Sequence, residues 1–134
     1  AGEAGPGFLR SLPGSWAGTA PRTPLGKLPY NLRFEETESG AVRGVSETNG
    51  QAVHTWLFRL SSGNRLELDF HSTFGASGAR GLCVTRADPA KGLLFAGGEP
   101  PYLEVWISVD QAVWQAEILL RGRPHVSIVA KRVR

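Results

Sequence analysis

Three histidines and one cysteine are the side chains of this 134-residue sequence best suited to chemistry near neutral pH. His54, His71 and His125 lie far apart and lack the spacing of a metal-ligand set, which argues against a zinc site. His54 shares strand parity with Trp56, Phe58 and Leu60, so it is expected to point inward. There the ordinary outcome is a neutral, hydrogen-bonded ring, and the functional one is a residue that orients a ligand or exchanges a proton with it. His71 alternates with Arg65, Glu67 and Asp69 and belongs on a solvated face. Cys83 stands alone, which excludes an internal disulfide or a cysteine cluster within the sequence, and its place in a short alternating segment predicts a packed thiol.

Acid–base machinery is sparse elsewhere. Glu104 and Glu117 fall on the polar sides of their segments, and no pair of carboxylates is spaced for general acid and base work. Serine elbow, phosphate loop and His-Glu-x-x-His patterns are absent from the sequence. Whether the chain is an enzyme is therefore left open, with His54 as its one candidate catalytic residue.

The formal charge is +3, from 15 Lys and Arg against 12 Asp and Glu. Arg121, Arg123, Lys131, Arg132 and Arg134 cluster near the last numbered residue, so one end is basic and the rest is not. A nucleic-acid surface needs cations spread along a face with aromatics between them, so nucleic acid is not an expected partner. Apolar runs such as residues 93–96 are too short for a spanning helix. The expectation is a soluble protein without a membrane span, either cytoplasmic or processed and secreted, of undetermined oligomeric state.

Positioning these residues falls to strands. Gly 17 and Pro 9 give many turns, and period-two patterning recurs every eight to twelve residues. Strands are expected over residues 15–20, 28–36, 41–47, 51–60, 65–73, 80–86, 93–96, 102–109, 112–120 and 125–133. Residues 21–27 read as an irregular loop, residues 75–81 as a flexible loop at a cavity portal, and residues 6–12 as one helical turn plugging an end. Asn49-Gly50 is the strongest hairpin signal, because both central positions of a type I′ turn need positive φ, and residues 62–64 close the next hairpin. About ten strands joined by short turns, without a crossover helix, make a single all-β domain over residues 1–134. Its natural form is an antiparallel up-and-down barrel closed on itself.

A barrel of this size holds one small ligand in its interior. The inward parity of each strand nominates a lining of Tyr30, Leu32, Phe34, His54, Trp56 and Phe58, continued by Leu68, Phe70, Leu103, Val105, Trp114 and Ile118. Such a lining suits a small hydrophobic molecule. Burying about 300 Å² of apolar ligand contributes ~7.5 kcal/mol before association costs, which caps apolar affinity near micromolar unless a polar anchor is added.

Gly14-Ser15-Trp16 resembles the Gly-x-Trp signature on the first strand of the calycin superfamily, the lipocalins, fatty-acid-binding proteins and avidins. That resemblance implies barrel closure by Trp16 beneath a basic side chain of the last strand, Arg132 or Arg134, as a cation over a ring. The two ends are most similar to nitrobindins, through Gly14, Trp16 and Gly18 at the start and His125, Val126, Ile128 and Val129 near the finish. This likeness implies His125 as an axial ligand of haem b iron and peroxynitrite isomerisation as the activity. A lipocalin-like cyclase or isomerase using His54 is a further alternative. Regular alternation groups His125 with Ser127 and Lys131 on the outer face, so either a bulge after Pro124 or a position at the open rim is needed for that role.

Overall fold

A computed structural model describes residues 4–61, 65–73, 78–97, 103–110 and 112–133. A helix, α1 (Ala4–Ser11), precedes ten strands: β1 (Gly14–Arg22), β2 (Leu28–Glu36), β3 (Val42–Thr48), β4 (Gln51–Leu60), β5 (Leu66–Ser72), β6 (Gly78–Asp88), β7 (Gly92–Ala96), β8 (Leu103–Val109), β9 (Val113–Leu120) and β10 (Arg123–Arg132). Each pairs antiparallel with its sequence neighbour, and β1 pairs with β10, so the sheet closes into a barrel without edges. This is the calycin-like architecture that the strand count and connections imply. No described helix is long and apolar enough to cross a membrane.

Alternation explains most of the barrel. In β2, Tyr30, Leu32 and Phe34 are buried while Asn31, Arg33 and Glu35 face water. The other strands follow the same rule, except beside ladder slips and in β7 and β8, where Leu94 and Trp106 are buried between inward-facing neighbours. In β3 the rule holds but its chemistry is inverted: Gly44, Ser46 and Thr48 point in, while Val45 is exposed. The reason is space, since a Cβ on Gly44 would lie 2.3 Å from the Phe34 ring.

Two expectations are corrected. Residues 21 and 22 belong to β1 and not to a loop, because the β1–β10 register shifts between Thr19 and Arg22 and so accommodates Pro21. Residues 78–81 likewise begin β6. A register shift between Leu68 and Phe70 places Gly81 at positive φ, and its N–H donates to Asp69 Oδ1 at 2.8 Å. Of the portal loop expected over residues 75–81, residues 75–77 lie outside the described residues, as do the turn at 62–64, Tyr102 and Arg134. The helical turn expected over residues 6–12 is an eight-residue helix ending at Ser11.

One end of the barrel is shut. Trp16 is buried with Arg132 Cζ 4.2 Å from its ring centroid, and its indole N–H donates to Leu12 O at 3.0 Å. Arg132 donates in turn to Pro13 O and Ser11 O, at 2.9 and 2.7 Å, tying the last strand to the helix across the whole chain. From α1, Phe8 reaches Phe58 and Phe95, with ring centroids 5.4 and 5.9 Å away. At the opposite end lie the β1–β2 and β3–β4 connections and the β9–β10 turn.

Candidate functional site

The barrel interior is lined by rings. All twelve residues nominated for the lining are buried. Trp56 stands at their centre, 4.6 Å from Phe70 and 5.4 Å from Trp114 by ring centroids, and Phe34 touches Phe58 and Trp114 at about 6 Å. Toward the shut end, Phe95 extends the cluster to Phe58 at 5.6 Å. Phe8 and Phe95 went unrecognised in the sequence, because one belongs to a short helix and the other to a five-residue strand with little periodicity.

Toward the opposite end, open in the sense that no described helix caps it, the lining changes character. His54 on β4 pairs in register with Ser46 on β3 and Ser72 on β5, and all three are buried. Tyr30 Oη and His54 Nδ1 are 2.7 Å apart, and Trp56 Nε1 donates to Ser46 Oγ at 2.9 Å. Burial pushes the Tyr30 phenol well above its usual range, against the opposing pull of Ser46 and Trp56. The phenol therefore stays protonated and can donate to Nδ1. Burial also drives the His54 pKa from 6.5 down to about 3, helped by the nearby charges of His125 and His71. The ring is neutral at physiological pH, as expected for a buried, hydrogen-bonded histidine.

Deeper in, Trp114 Nε1 is buried with no hydrogen-bond acceptor among the described residues. Buried polar side chains here are neutral: Thr23, Ser46, Thr48, His54 and Ser72 are the described ones, and none is a carboxylate, lysine or arginine. The lumen thus offers hydrogen bonds without charge. Ser46 and Ser72 were not recognisable as site residues, since a serine at an inward position of one strand acquires meaning only from the ring across from it.

The remaining nominated residues sort by position. His71 is exposed on the outer face, as its polar neighbours imply, and Glu104 and Glu117 are half-buried there rather than fully solvated. They lie on strands whose outer face carries Trp106, which Lys91 and Arg86 cover at 5.5 and 5.9 Å. Cys83 is half-buried, with Sγ 3.5 Å from Gly81 O. The β9–β10 ladder slips between Pro124 and Val126, leaving His125 as the extra residue of a bulge near the open rim, half-buried. His125 lies at the same end of the barrel as His54, whose pKa its charge helps to lower. Among the described residues no group of three or more potential ligands is arranged to hold a metal ion.

No family model, no curated protein and no solved structure matches the chain. Its class rests on architecture: a closed, ten-stranded antiparallel barrel of calycin type whose interior is apolar and aromatic. Small hydrophobic ligands suit such an interior.

Proposed function

We propose that this protein binds a small, flat, hydrophobic molecule carrying one neutral hydrogen-bonding group, which enters by the open end and meets Tyr30 and His54. The observation that carries this reading is the set of buried, uncharged polar groups within an aromatic lumen. Tyr30, His54 and Ser46 form its upper part, and the Trp114 N–H, without an acceptor among the described residues, lies below. A ligand oxygen near Trp114 would satisfy that donor. A carboxylate would be buried without a countercharge, which costs several kcal/mol unless the group takes up a proton.

The neutral state of His54 favours anchoring over catalysis. A general acid or base works best with a pKa near the operating pH, and about 3 lies well below it. The haem reading draws support from one feature, the bulge at His125 near the rim. Ring contacts run from Trp56 through Phe58 to Phe95, toward the shut end, whereas His125 stands near the rim, so it is at the rim that His125 would meet haem. Haem there would supply a redox-active iron, with His125 as its protein ligand.

One titration series tests these readings. Tryptophan fluorescence should report saturable binding of 1-naphthol, at least tenfold tighter than 1-naphthoate at neutral pH, and Tyr30→Phe should weaken naphthol by about fivefold. Equal or tighter binding of naphthoate would overturn the proposal. So would a Soret band on adding hemin that disappears in His125→Ala, which would put the haem reading in its place.

A further inference from the structure

The basic residues near the last numbered residue do not form one patch. Lys131 and Arg132 lie at the shut end, whereas Arg121 and Arg123 lie at the tip of the β9–β10 hairpin, at the open end. Because β1 pairs with β10, the neighbouring tip at that end is the β1–β2 connection, which carries Arg22 and Lys27. These two tips, residues 22–27 and 121–123, hold four cations and no Asp or Glu. All four are exposed, and none makes an ion pair among the described residues.

Two further features distinguish these tips from an ordinary solvated surface. Leu25, between Arg22 and Lys27, is 73% exposed, the most exposed large hydrophobic side chain described. Its turn is firmly built: buried Thr23 accepts a hydrogen bond from Leu25 N–H at 3.0 Å and donates one to Gly26 O at 2.6 Å. A leucine fixed in water costs solvation that a polar residue would avoid. The second feature is backbone strain. Arg121 and Gly122 both have positive φ, 54° and 79°, the same turn geometry as Asn49 and Gly50 at the same end, with φ 52° and 80°. Asn suits that conformation and Arg does not, so the β9–β10 turn keeps a cation at a local conformational cost.

We propose that these two hairpin tips dock the open end of the barrel onto an anionic lipid bilayer, with Leu25 entering the headgroup layer and the four cations resting on the lipid phosphates and carboxylates. Clustered cations around a leucine match the charged, apolar-cored surface of a bilayer. A nucleic acid would instead call for cations along a track with stacking rings. This inference does not depend on the lumen's occupant, because vesicle binding and dye binding are read separately.

Sedimentation of the full chain with phosphatidylcholine vesicles, with and without about a third phosphatidylserine, tests it. Binding should require phosphatidylserine and fall steeply with salt. Each cation should contribute about fivefold (about 1 kcal/mol), so the double variant Arg121→Asn, Arg123→Gln should bind roughly 25-fold more weakly. Leu25→Ser should weaken binding severalfold at unchanged charge. Lys131→Gln, at the shut end, should leave it unaltered. Equal binding to neutral vesicles, equal loss in Lys131→Gln, or displacement of the protein from vesicles by single-stranded RNA would overturn the proposal. All four substituted side chains are exposed, and a circular dichroism melt confirms that each variant is folded before its binding is read.

Discussion

The two ends of the barrel use the same kinds of residue for opposite purposes. At the shut end an aromatic ring, an arginine and backbone carbonyls satisfy one another: Trp16 is covered by Arg132, and Arg132 is bound to Ser11 and Pro13. At the open end arginines extend into water from two hairpins, a leucine is exposed, and the buried polar chain of Tyr30, His54 and Ser46 lies below the rim. Interactions turned inward stabilise the barrel. Groups left facing outward, at a cost in strain or solvation, mark the end that meets other molecules.

Substitutions should separate the two ends by the size and sign of their effects. Trp16→Ala should be the most damaging, costing about 3–5 kcal/mol through the cavity it leaves, before the lost cation–ring contact is counted. Urea unfolding measures this directly, and a loss below about 1 kcal/mol would show that the shut end is not a stabilising plug.

Next in size is the acid response of His54. Its pKa is about 3 in the folded barrel and 6.5 in the unfolded chain. As pH falls from 6.5 toward 3 the unfolded chain takes up a proton that the folded one refuses, so acid favours unfolding across that window. By pH 4.5 this amounts to about 2–3 kcal/mol. His54→Gln should remove it, flattening the stability profile between pH 7 and 4.5 relative to the unsubstituted protein. Parallel profiles would mean that His54 is protonated as readily inside as outside.

The smallest effect has the opposite sign. Arg121→Asn should raise stability by about 0.5–1 kcal/mol, because Asn adopts positive φ more readily than Arg. A thermal melt measures the gain, and the same variant should bind anionic vesicles less well. A stabilised protein with weakened binding is the signature of a residue kept for a partner. A destabilised one would mean that the guanidinium has a structural task in the turn.

Much of the fold was legible in advance, for reasons that differ by segment. β2 and β4 were bounded correctly because long half-buried strands alternate cleanly and end at turn residues. The Asn49-Gly50 turn was readable because few residues tolerate its backbone. Strand ends beside ladder slips, at Arg22 and Gly78, were not, since a bulge is decided by the partner strand. The inner face of β3 escaped because polarity ordinarily marks an outward position. Ser46 is inside only because Trp56 Nε1 donates to it, and Gly44 only because Phe34 occupies its space.

Parity along single strands was enough to determine that the chain makes an all-β barrel and that Tyr30, His54, Trp56 and Trp114 face its interior. A side chain's in-or-out choice follows from its own neighbours two residues away. Tertiary structure alone decided that His54 joins Tyr30 between two buried serines, that Arg132 covers Trp16, and that the basic residues divide between opposite ends. Those outcomes depend on register and closure, which bring residues up to 121 positions apart into contact and which no local pattern encodes.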